Sequence, residues 1–363
     1  MASTILTPLF SFANLPQTDE DDSLFCLALS SDGSCAVNNY TICNLHEQTS
    51  LVLLHDIDRV DYAVFSDDQR LVATVDFCER LTILNARTGL ILQEVSIAPA
   101  SSLFTCLAFS PGGQFIATAT ESLNWVKIWN TATGDNLSTL NWKRPTSLAF
   151  SPDSRLLVSG NKVGTMRMWD LHTQEAALPD RREHTETVEA LAFSPNGRHL
   201  ASASYDRTVI LWDTSSFDKL HTLIGHTGGV ECIAFSHDGK RLVSGGNDST
   251  ARVWDVASGK QIYILRLQEE VPEYNIDDFE ENIQRVAFSR DGREVTIACN
   301  NNVWRWDIWK YETSWTPRHH RDFPEKMQNT LRALVLGLRR LAVEKVDPAC
   351  IEMEMFSGLC LGE

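Results

Sequence analysis

The chain has 363 residues, 43% of them hydrophobic and 22% charged, a composition that excludes disordered, collagen-like and low-complexity classes. Its formal net charge of −16 argues against direct nucleic-acid binding through bulk positive charge. Two stretches, residues 19–22 and 269–281, together hold 11 acidic residues.

The cysteine content and the N-terminus bear on the cellular compartment. Nine cysteines are an odd number without paired spacing, which favours a reducing environment over a disulfide scaffold. The first 58 residues contain no Lys or Arg, so they lack the basic start of a signal or transit peptide. The longest wholly apolar run, Ala333–Leu338, is far shorter than the roughly 20 residues of a membrane-spanning helix. We therefore expect a cytoplasmic or nuclear protein without membrane insertion.

The predicted elements begin with a strand-like segment at Leu9–Phe12, which is followed by seven copies of one pattern. Each copy has a hydrophobic residue, a serine and then turn-forming residues that favour a tight hairpin. The distance from one serine to the next is 36 to 53 residues, which indicates an internal repeat. The repeat serines are Ser30, Ser66, Ser110, Ser151, Ser194, Ser236 and Ser289.

A second position also recurs within the copies. In the last five copies it is a Trp followed by Asn or Asp, and it lies 17 to 19 residues after the serine. Cys43 and Leu84 take the place of this Trp in the first two copies. Short β-branched runs lie between the serine and the Trp, and a fourth run follows the Trp. Four strands per unit of about 40 to 45 residues are typical of a β-propeller blade.

Residues 317–363 follow a different, helical pattern. Asp322 and Glu325 form a capping box with Pro324 in the first turn. An apolar stripe that includes Leu334 and Leu338 then recurs at helical spacing, and a second short helix is predicted after residue 347. The sequence therefore predicts two parts: a propeller over residues 1–316 and a helical extension over residues 317–363.

The repeat resembles the WD-repeat β-propeller family over about residues 5–310. The resemblance is clearest in the fifth and sixth copies, which contain the family's structural His–Ser–Asp–Trp hydrogen-bonding set. The matching residues are His184, Ser202, Asp206 and Trp212 in one copy, and His226, Ser244, Asp248 and Trp254 in the next. The resemblance implies an all-β fold, a seven-bladed WD-repeat β-propeller, with a small C-terminal α-helical hairpin beside it.

The resemblance also implies how the ring closes. The family completes its last blade with an N-terminal strand, a role that falls to residues 5–15 and chiefly to Leu9–Phe12. The alternative is that Tyr311–Trp315 supplies this strand. We favour the N-terminal strand because closure by the chain itself removes a sheet edge that would invite aggregation.

WD-repeat propellers bind partners mainly through the rim of one face. The resemblance implies which residues of this chain occupy the exposed positions of that rim. They lie seven and five residues before each repeat serine, and immediately before the structural Asp. The expected binding rim comprises Arg59, Asp61, Phe77, Arg144, Lys162, Glu189, Tyr205, Glu231, Asn247 and Gln284, with Phe25 and Glu121 from the irregular first and third copies.

The charges of these residues suggest a divided rim. Arg59, Arg144 and Lys162 would form a basic arc, whereas Glu189, Glu231 and the two acidic stretches would form an acidic arc. Phe77 and Tyr205 are aromatic residues of the kind enriched at interface hot spots. We expect a partner segment with a basic end.

The sequence contains little evidence for a catalytic or metal-binding site. The histidine, serine and aspartate of the repeat superficially resemble a nucleophilic triad, but their recurrence in two copies favours a structural network. Cys43 and His46 have a metal-like gap and His319 and His320 are adjacent, yet neither pair has the further ligands of a zinc site. We predict no catalytic, cofactor-binding or metal-binding residues.

These features favour a non-enzymatic protein–protein interaction scaffold within a larger complex. The alternative is a substrate receptor of a ubiquitin-ligase complex that uses the C-terminal hairpin for adaptor binding. That hairpin fits adaptor-recruiting helical motifs poorly, and the Trp-Asp pairs lack the Arg two residues later that ligase-linked propellers often carry. A propeller enzyme is the third class, but no acid–base or metal set supports it.

Overall fold

The computed structural model describes residues 5–6, 10–12, 28–37, 41–45, 49–52, 60–76, 79–97, 104–267, 282–299 and 302–308. All of them belong to one compact unit, Ile5–Lys310. The predicted helical hairpin, the alternative closing segment Tyr311–Trp315 and the acidic stretches 19–22 and 269–281 lie outside the described residues.

The regular elements of the described residues are strands, numbered here in chain order. The first two are β1 (Ile5–Leu6) and β2 (Phe10–Phe12). Blade 1 contains β3 (Ala28–Leu29), β4 (Cys35–Val37), β5 (Thr41–Asn44) and β6 (Thr49–Val52). Blade 2 contains β7 (Val60–Phe65), β8 (Leu71–Asp76), β9 (Arg80–Asn85) and β10 (Ile91–Ser96). Blade 3 contains β11 (Phe104–Phe109), β12 (Phe115–Thr120), β13 (Trp125–Asn130) and β14 (Asn136–Asn141).

The remaining four blades follow the same plan. Blade 4 contains β15 (Pro145–Phe150), β16 (Leu156–Asn161), β17 (Thr165–Asp170), β18 (Glu175–Ala176) and β19 (Arg181–Arg182). Blade 5 contains β20 (Val188–Phe193), β21 (His199–Ser204), β22 (Thr208–Asp213) and β23 (Lys219–Ile224). Blade 6 contains β24 (Val230–Phe235), β25 (Arg241–Gly246), β26 (Thr250–Asp255) and β27 (Gln261–Arg266). Blade 7 contains β28 (Arg285–Phe288), β29 (Glu294–Cys299) and β30 (Asn302–Asp307).

The seven sheets are arranged as a ring. From its first strand to its last, each blade pairs consecutive strands in antiparallel fashion, except that β18 and β19 of blade 4 both pair with β17. The innermost strand of each blade neighbours that of the next blade, and β28 of blade 7 neighbours β3 of blade 1. The seven-bladed β-propeller predicted from the repeat is therefore confirmed.

The repeat serine stabilises the first hairpin of each blade, as blade 5 illustrates. Ser194 Oγ accepts the main-chain N–H of His199 at 2.9 Å and donates to Asn196 Oδ1 at 2.8 Å. The N–H of Gly197, which has a φ of +70°, donates to the main-chain oxygen of Ser194. Such a turn needs a short hydroxyl, a local acceptor and a residue that tolerates positive φ, which explains the recurring sequence.

The hydrophobic core lies between neighbouring blades. One buried cluster joins Leu211 and Leu223 of blade 5 to Val230, Leu242 and Trp254 of blade 6. The second strands are buried along almost their whole length because a blade covers each face, whereas the outer strands β10, β14 and β23 are largely exposed. This packing fixes the innermost strands, and with them the rim.

The N-terminal segment pairs with two different blades. Strand β2 pairs antiparallel with β30, aligning Phe10 with Arg305, and so becomes the fourth strand of the blade 7 sheet. Strand β1 pairs in parallel with β27, aligning Ile5 with Ile264, and adds a fifth strand to blade 6. No pattern in the sequence predicts this parallel pairing. Among the described residues, no helix is long and apolar enough to span a membrane.

Candidate protein-binding rim

One main-chain hydrogen bond recurs along the binding rim in blades 4 to 6. Its donor is the N–H of Lys162, Tyr205 or Asn247, and its acceptor is the carbonyl oxygen of Arg144, Thr187 or Gly229, at 3.1, 2.9 and 2.8 Å respectively. The bond holds the turn between the second and third strands against the start of the innermost strand. Two rim positions per blade are thus fixed side by side by the backbone, whatever their side chains are.

Tyr205 is the exposed aromatic residue of this part of the rim, with 50% of its surface accessible. Its ring packs on the backbone of the next blade, because a Cβ on Gly229 would lie only 2.7 Å from the ring carbon Cδ2. The absence of a side chain at residue 229 is what makes room for the ring. The packing against Gly229 therefore restrains the Tyr205 side chain, which presents an ordered aromatic ring at the surface.

The cationic residues of blade 4 share one carboxylate. Arg144 and Lys162 reach Glu121 Oε1 of blade 3 at 2.7 and 3.2 Å. The hydrogen bond from Arg144, together with the neighbouring lysine, holds the pKa of Glu121 below its usual value. The basic arc expected from the sequence is consequently neutralised in part by Glu121, whose proximity to both cations was not recognised from the sequence.

The acidic side of the rim is formed by Glu189 of blade 5 and Glu231 of blade 6. Burial raises the pKa of both carboxyl groups, and the proximity of Glu231 raises that of Glu189 further. A side-chain hydrogen bond from Asn247 and the positive charge of Arg285 act in the opposite direction on Glu231. Two partly buried carboxylates therefore lie within electrostatic reach of each other on neighbouring blades.

Three amide oxygens lie in the same part of the rim. Asn247 Oδ1, Asn282 Oδ1 and Gln284 Oε1 are buried, and none has a hydrogen-bond partner among the described residues. Such unpaired buried acceptors are uncommon in folded proteins. They belong to blades 6 and 7, and the side chain of Asn247 also hydrogen-bonds to Glu231.

Several expected rim residues cannot be placed. Arg59, Phe77 and Phe25 lie outside the described residues, as do both acidic stretches. Asp61 lies in β7, and its side chain is not among those described. The rim described here therefore consists of blades 3 to 7.

The His–Ser–Asp–Trp set of blade 5 forms a continuous hydrogen-bonded chain. Trp212 Nε1 donates to Ser202 Oγ at 2.9 Å, and this oxygen lies 2.7 Å from His184 Nε2. His184 Nδ1 lies 2.9 Å from Asp206 Oδ2, so the distances fit an imidazole protonated on Nδ1. Asp206 also accepts the main-chain N–H groups of Thr185 and Thr208.

Blade 6 repeats this geometry. Trp254 Nε1 donates to Ser244 Oγ at 2.9 Å, Ser244 Oγ lies 2.8 Å from His226 Nε2, and His226 Nδ1 lies 3.0 Å from Asp248 Oδ1. Burial disfavours ionisation of Asp248, but its hydrogen bonds, chiefly to His226, hold the pKa well below the usual value. Burial lowers the pKa of His226. The serine oxygen is thus engaged on both sides, which favours a structural role over nucleophilic chemistry.

Blade 4 lacks the histidine and replaces the set with aromatic packing. Trp142 packs edge-on against Trp169, with ring centroids 6.3 Å apart. The Arg167 guanidinium lies 4.6 and 5.1 Å from the two centroids and pairs with Asp180 at 2.7 Å. Ser159 Oγ and Trp169 Nε1, which align with Ser202 and Trp212, have no partner among the described residues. The repeat motif does not predict this arrangement, because Trp142 and Arg167 lie outside its recurring positions.

Other candidate chemistry is limited. In the part of the chain that the structure describes, no group of three or more His, Cys, Asp or Glu residues could hold a metal ion. Burial raises the pKa of the Cys106 and Cys232 thiols to about 12, so they remain protonated near neutral pH. His46, His319 and His320 lie outside the described residues.

A family model described as "WD domain, G-beta repeat" matches residues 95–130, 135–170, 178–213 and 217–255. Each of the last three matches runs from the outer part of one blade to the third strand of the next. The chain is a WD-repeat protein. Its matched repeats supply β11–β13, β15–β17, β20–β22 and β24–β26, so they include the rim from Glu121 to Asn247. Members of this family are generally non-enzymatic scaffolds, and the match indicates no catalytic family.

Three relatives align with parts of this WD-repeat chain. It is 36% identical over 76 residues to the Periodic tryptophan protein 2 homolog of Neurospora crassa, which covers 20% of this chain and 8% of the relative. It is 32% identical over 79 residues to the Periodic tryptophan protein 2 homolog of Schizosaccharomyces pombe, which covers 21% and 9% respectively. It is 34% identical over 85 residues to SVP1-like protein 2 of Schizosaccharomyces pombe, which covers 22% and 23%. The chain thus aligns with less than a quarter of each relative's length.

Proposed function

We propose that this WD-repeat protein is a non-enzymatic scaffold that binds a segment of another protein across the binding rim of blades 4 to 6. The observation that carries the proposal is the exposed Tyr205 ring, seated on Gly229. Lys162 lies on one side of it and Glu231 on the other. An amphipathic aromatic residue between opposite charges is the composition expected of an interface hot spot.

The proposed partner segment has a basic end. Its basic residues would face Glu189 and Glu231, and its apolar residues would contact Tyr205. We further propose that the protein acts within a larger complex in the cytoplasm or nucleus and does not bind nucleic acid directly. The net charge of −16 supports this, and so do the free thiols of Cys43, Cys106 and Cys232. The proposed domain division, residues 1–316 and 317–363, accompanies this function.

The experiment is affinity purification of full-length protein from cells, followed by quantitative mass spectrometry, with two matched variants. Tyr205→Ala removes the exposed ring from the rim. Ile224→Ala removes an apolar side chain that is 75% exposed on the outer strand of the same blade. We expect specific partners to be lost with Tyr205→Ala and kept with Ile224→Ala. Equal recovery of every partner with both variants would contradict rim binding.

The same purification addresses the ubiquitin-ligase alternative. That reading requires the C-terminal hairpin of residues 317–363 to recruit an adaptor. Adaptor subunits that disappear when residues 317–363 are deleted, while rim partners remain, would favour it. A stable complex without ligase subunits would favour the scaffold.

A further inference from the structure

Exposed apolar side chains recur along the binding rim on three consecutive blades. Leu123, Val163 and Tyr205 lie in the turns between the second and third strands of blades 3, 4 and 5, and 41%, 46% and 50% of their surfaces are accessible. These turns share one face of the ring because the blades repeat the same antiparallel strand order. Apolar side chains that recur on one face, rather than singly, are typical of a protein-binding surface.

Two cations and one carboxylate lie beside these apolar side chains. Arg144 Nε and Nη2 donate to Glu121 Oε1 at 2.9 and 2.7 Å. Lys162 Nζ lies 3.2 Å from the same oxygen and 3.4 Å from Oε2. The side chains of Arg144 and Lys162 are 50% and 45% exposed, whereas that of Glu121 is only 19% exposed. The group therefore has one net positive charge, and its cations face solvent.

The hydrogen-bonding capacity of Arg144 is only partly used. A guanidinium has five N–H donors, and Arg144 directs two of them at a single carboxylate oxygen. The remaining donors belong to a half-exposed side chain, so water solvates them in the free protein. An oxyanion from a partner can replace that water and bind the charged guanidinium directly.

The backbone of Arg144 has an unusual conformation, with a φ of +50°. Among the described residues, the other non-glycine residues with positive φ lie in hairpin turns within single blades, whereas Arg144 lies in the connection from blade 3 to blade 4. Its N–H donates to Asn124 Oδ1 at 3.0 Å, and its carbonyl oxygen accepts the N–H of Lys162 at 3.1 Å. Gly or Asn would adopt this φ with less strain. A strained arginine on an exposed rim is expected where the side chain itself is needed for binding.

We propose that Arg144 and Lys162, flanked by Leu123 and Val163, bind one carboxylate side chain of the partner segment, a glutamate or aspartate with apolar neighbours. A carboxylate matches the single net charge of the group, whereas a phosphate monoester carries about −1.5 to −2 at neutral pH. This inference rests on the proposed rim-binding function and specifies the partner. Its acidic residue lies at blades 3 and 4, and its basic end lies at blades 5 and 6.

Glu121 competes with the partner's carboxylate for the same donors. Glu121→Gln keeps an oxygen that can accept from Arg144, but it removes the negative charge and leaves two uncompensated cations. This variant should therefore bind an acidic segment more tightly than the wild type. Weaker binding by Glu121→Gln would show that the charge of Glu121 is required and would overturn the inference.

The binding test uses three synthetic peptide libraries with randomised flanks and a fixed central glutamate, glutamine or phosphoserine. We expect purified full-length protein to retain the glutamate library about 10-fold better than the glutamine library, because charge-assisted hydrogen bonds are stronger than neutral ones. Arg144→Asn should abolish this preference. The control is Arg155→Asn, an exposed arginine in the turn between the first two strands of the same blade, which should leave the preference unchanged. Equal retention of the glutamate and glutamine libraries, or stronger retention of the phosphoserine library, would overturn the inference.

A further variant separates this inference from the function on which it rests. If Tyr205→Ala weakens peptide binding but the glutamate and glutamine libraries are retained equally, the rim binds partners and only the carboxylate site is wrong. If no library binds in a Tyr205-dependent manner, the proposed function and the carboxylate site both fail.

A second measurement needs no ligand and tests whether Arg144 serves only the fold. Arg144→Asn relieves a positive φ and removes an exposed ion pair, so the melting temperature should not fall. Arg80→Asn is the matched control, because Arg80 Nε lies 2.8 Å from the carboxylate of Asp76, whose side chain is almost fully buried; its melting temperature should fall. A decrease for Arg144→Asn as large as that for Arg80→Asn would assign Arg144 to blade packing and overturn the inference.

Discussion

Trp212 donates its indole N–H to Ser202 across 2.9 Å, and both side chains are fully buried in blade 5. The bond joins the third strand of the blade to the second, and Ser202 continues it to His184. Blade 6 contains the same chain from Trp254 to Asp248. Two complete His–Ser–Asp–Trp sets thus lie in adjacent blades, and their contribution to stability can be measured.

Truncation of either tryptophan should be among the most damaging single changes in the propeller. Trp212→Ala and Trp254→Ala each remove a buried aromatic ring and one end of the hydrogen-bonded chain, so we expect a loss of about 3–5 kcal/mol in the free energy of unfolding. His184→Ala should also destabilise the protein. Chemical or thermal denaturation measures these losses. A melting temperature for Trp212→Ala equal to that of the wild type would refute the structural role.

Two buried serines provide a matched pair. Ser202 Oγ binds both Trp212 and His184, whereas Ser159 Oγ, in the equivalent position of blade 4, has no partner among the described residues. Ser202→Ala should cost about 1–3 kcal/mol because it leaves buried polar groups unpaired. Ser159→Ala should be neutral or stabilising. Denaturation of both variants side by side checks this, and equal losses would contradict the difference in bonding.

Acid should destabilise the propeller through the same sets. The pKa of Asp206 and of Asp248 lies well below the usual 3.8 in the folded protein, so their stabilisation is complete above that value and is lost as the pH falls below it. Burial lowers the pKa of His226 in the folded protein from 6.5. The histidine of the unfolded chain therefore binds a proton at a higher pH than the histidine of the folded chain, so stability also declines as the pH falls below about 6.5. Melting temperatures between pH 7 and pH 3 should therefore decrease in two stages. The deficit of Asp248→Asn relative to the wild type should shrink below pH 4, and a constant deficit would contradict the linkage.

Deletion of residues 1–16 should promote aggregation, because it removes β2 from β30 and β1 from β27 and so exposes two sheet edges. Deletion of residues 1–7 is the graded control, since it removes β1 alone and leaves blade 7 with four strands. Light scattering coupled to size-exclusion chromatography measures the outcome. A monomer with normal melting after removal of residues 1–16 would indicate that Tyr311–Trp315 completes the blade instead.

The acidic stretch 269–281 should accelerate association with a basic partner. A cluster of like charges raises association rates by about 10-fold or more at low salt, and the effect is screened as salt increases. Replacing its acids by Ser or Asn should slow association more than it speeds dissociation. Surface plasmon resonance across a salt series, with any partner found at the rim, measures both rates. Association that does not depend on salt would restrict this stretch to a linker role.

The fold was predictable from the sequence because its determinants are local. The turn between the first two strands of each blade contains a serine and a residue with positive φ, and in every blade but the third the serine also donates to an Asp or Asn two residues later. This requirement leaves a visible motif such as Ser194–Gly197. The number of blades follows from counting that motif. The positions of the rim side chains follow from the same register, since the Tyr205–Thr187 main-chain bond recurs in three blades.

Interactions between blades were not predictable in this way. Glu121 binds Arg144 and Lys162 from a different blade, so no fixed sequence spacing signals the contact. The parallel pairing of β1 with β27 involves two residues on each side, too few for a recognisable pattern. The packing of Trp142 against Trp169 occurs in a repeat without the His–Asp part of the motif, so the complete motif does not signal it.

The pairing of β2 with β30 also sets an order of events during synthesis. Phe10–Phe12 is synthesised before its pairing partner, Asn302–Asp307, which follows it only after some 290 further residues. At the usual elongation rate of about 5–20 residues per second, the nascent chain waits on the order of 15–60 s before this strand can pair. Blades 2 to 6 can form their hairpins meanwhile, whereas the first strand remains a substrate for chaperones. Slower translation between the codons of β2 and those of β30 is therefore expected to lengthen the time that β2 spends unpaired and to lower the yield of closed rings.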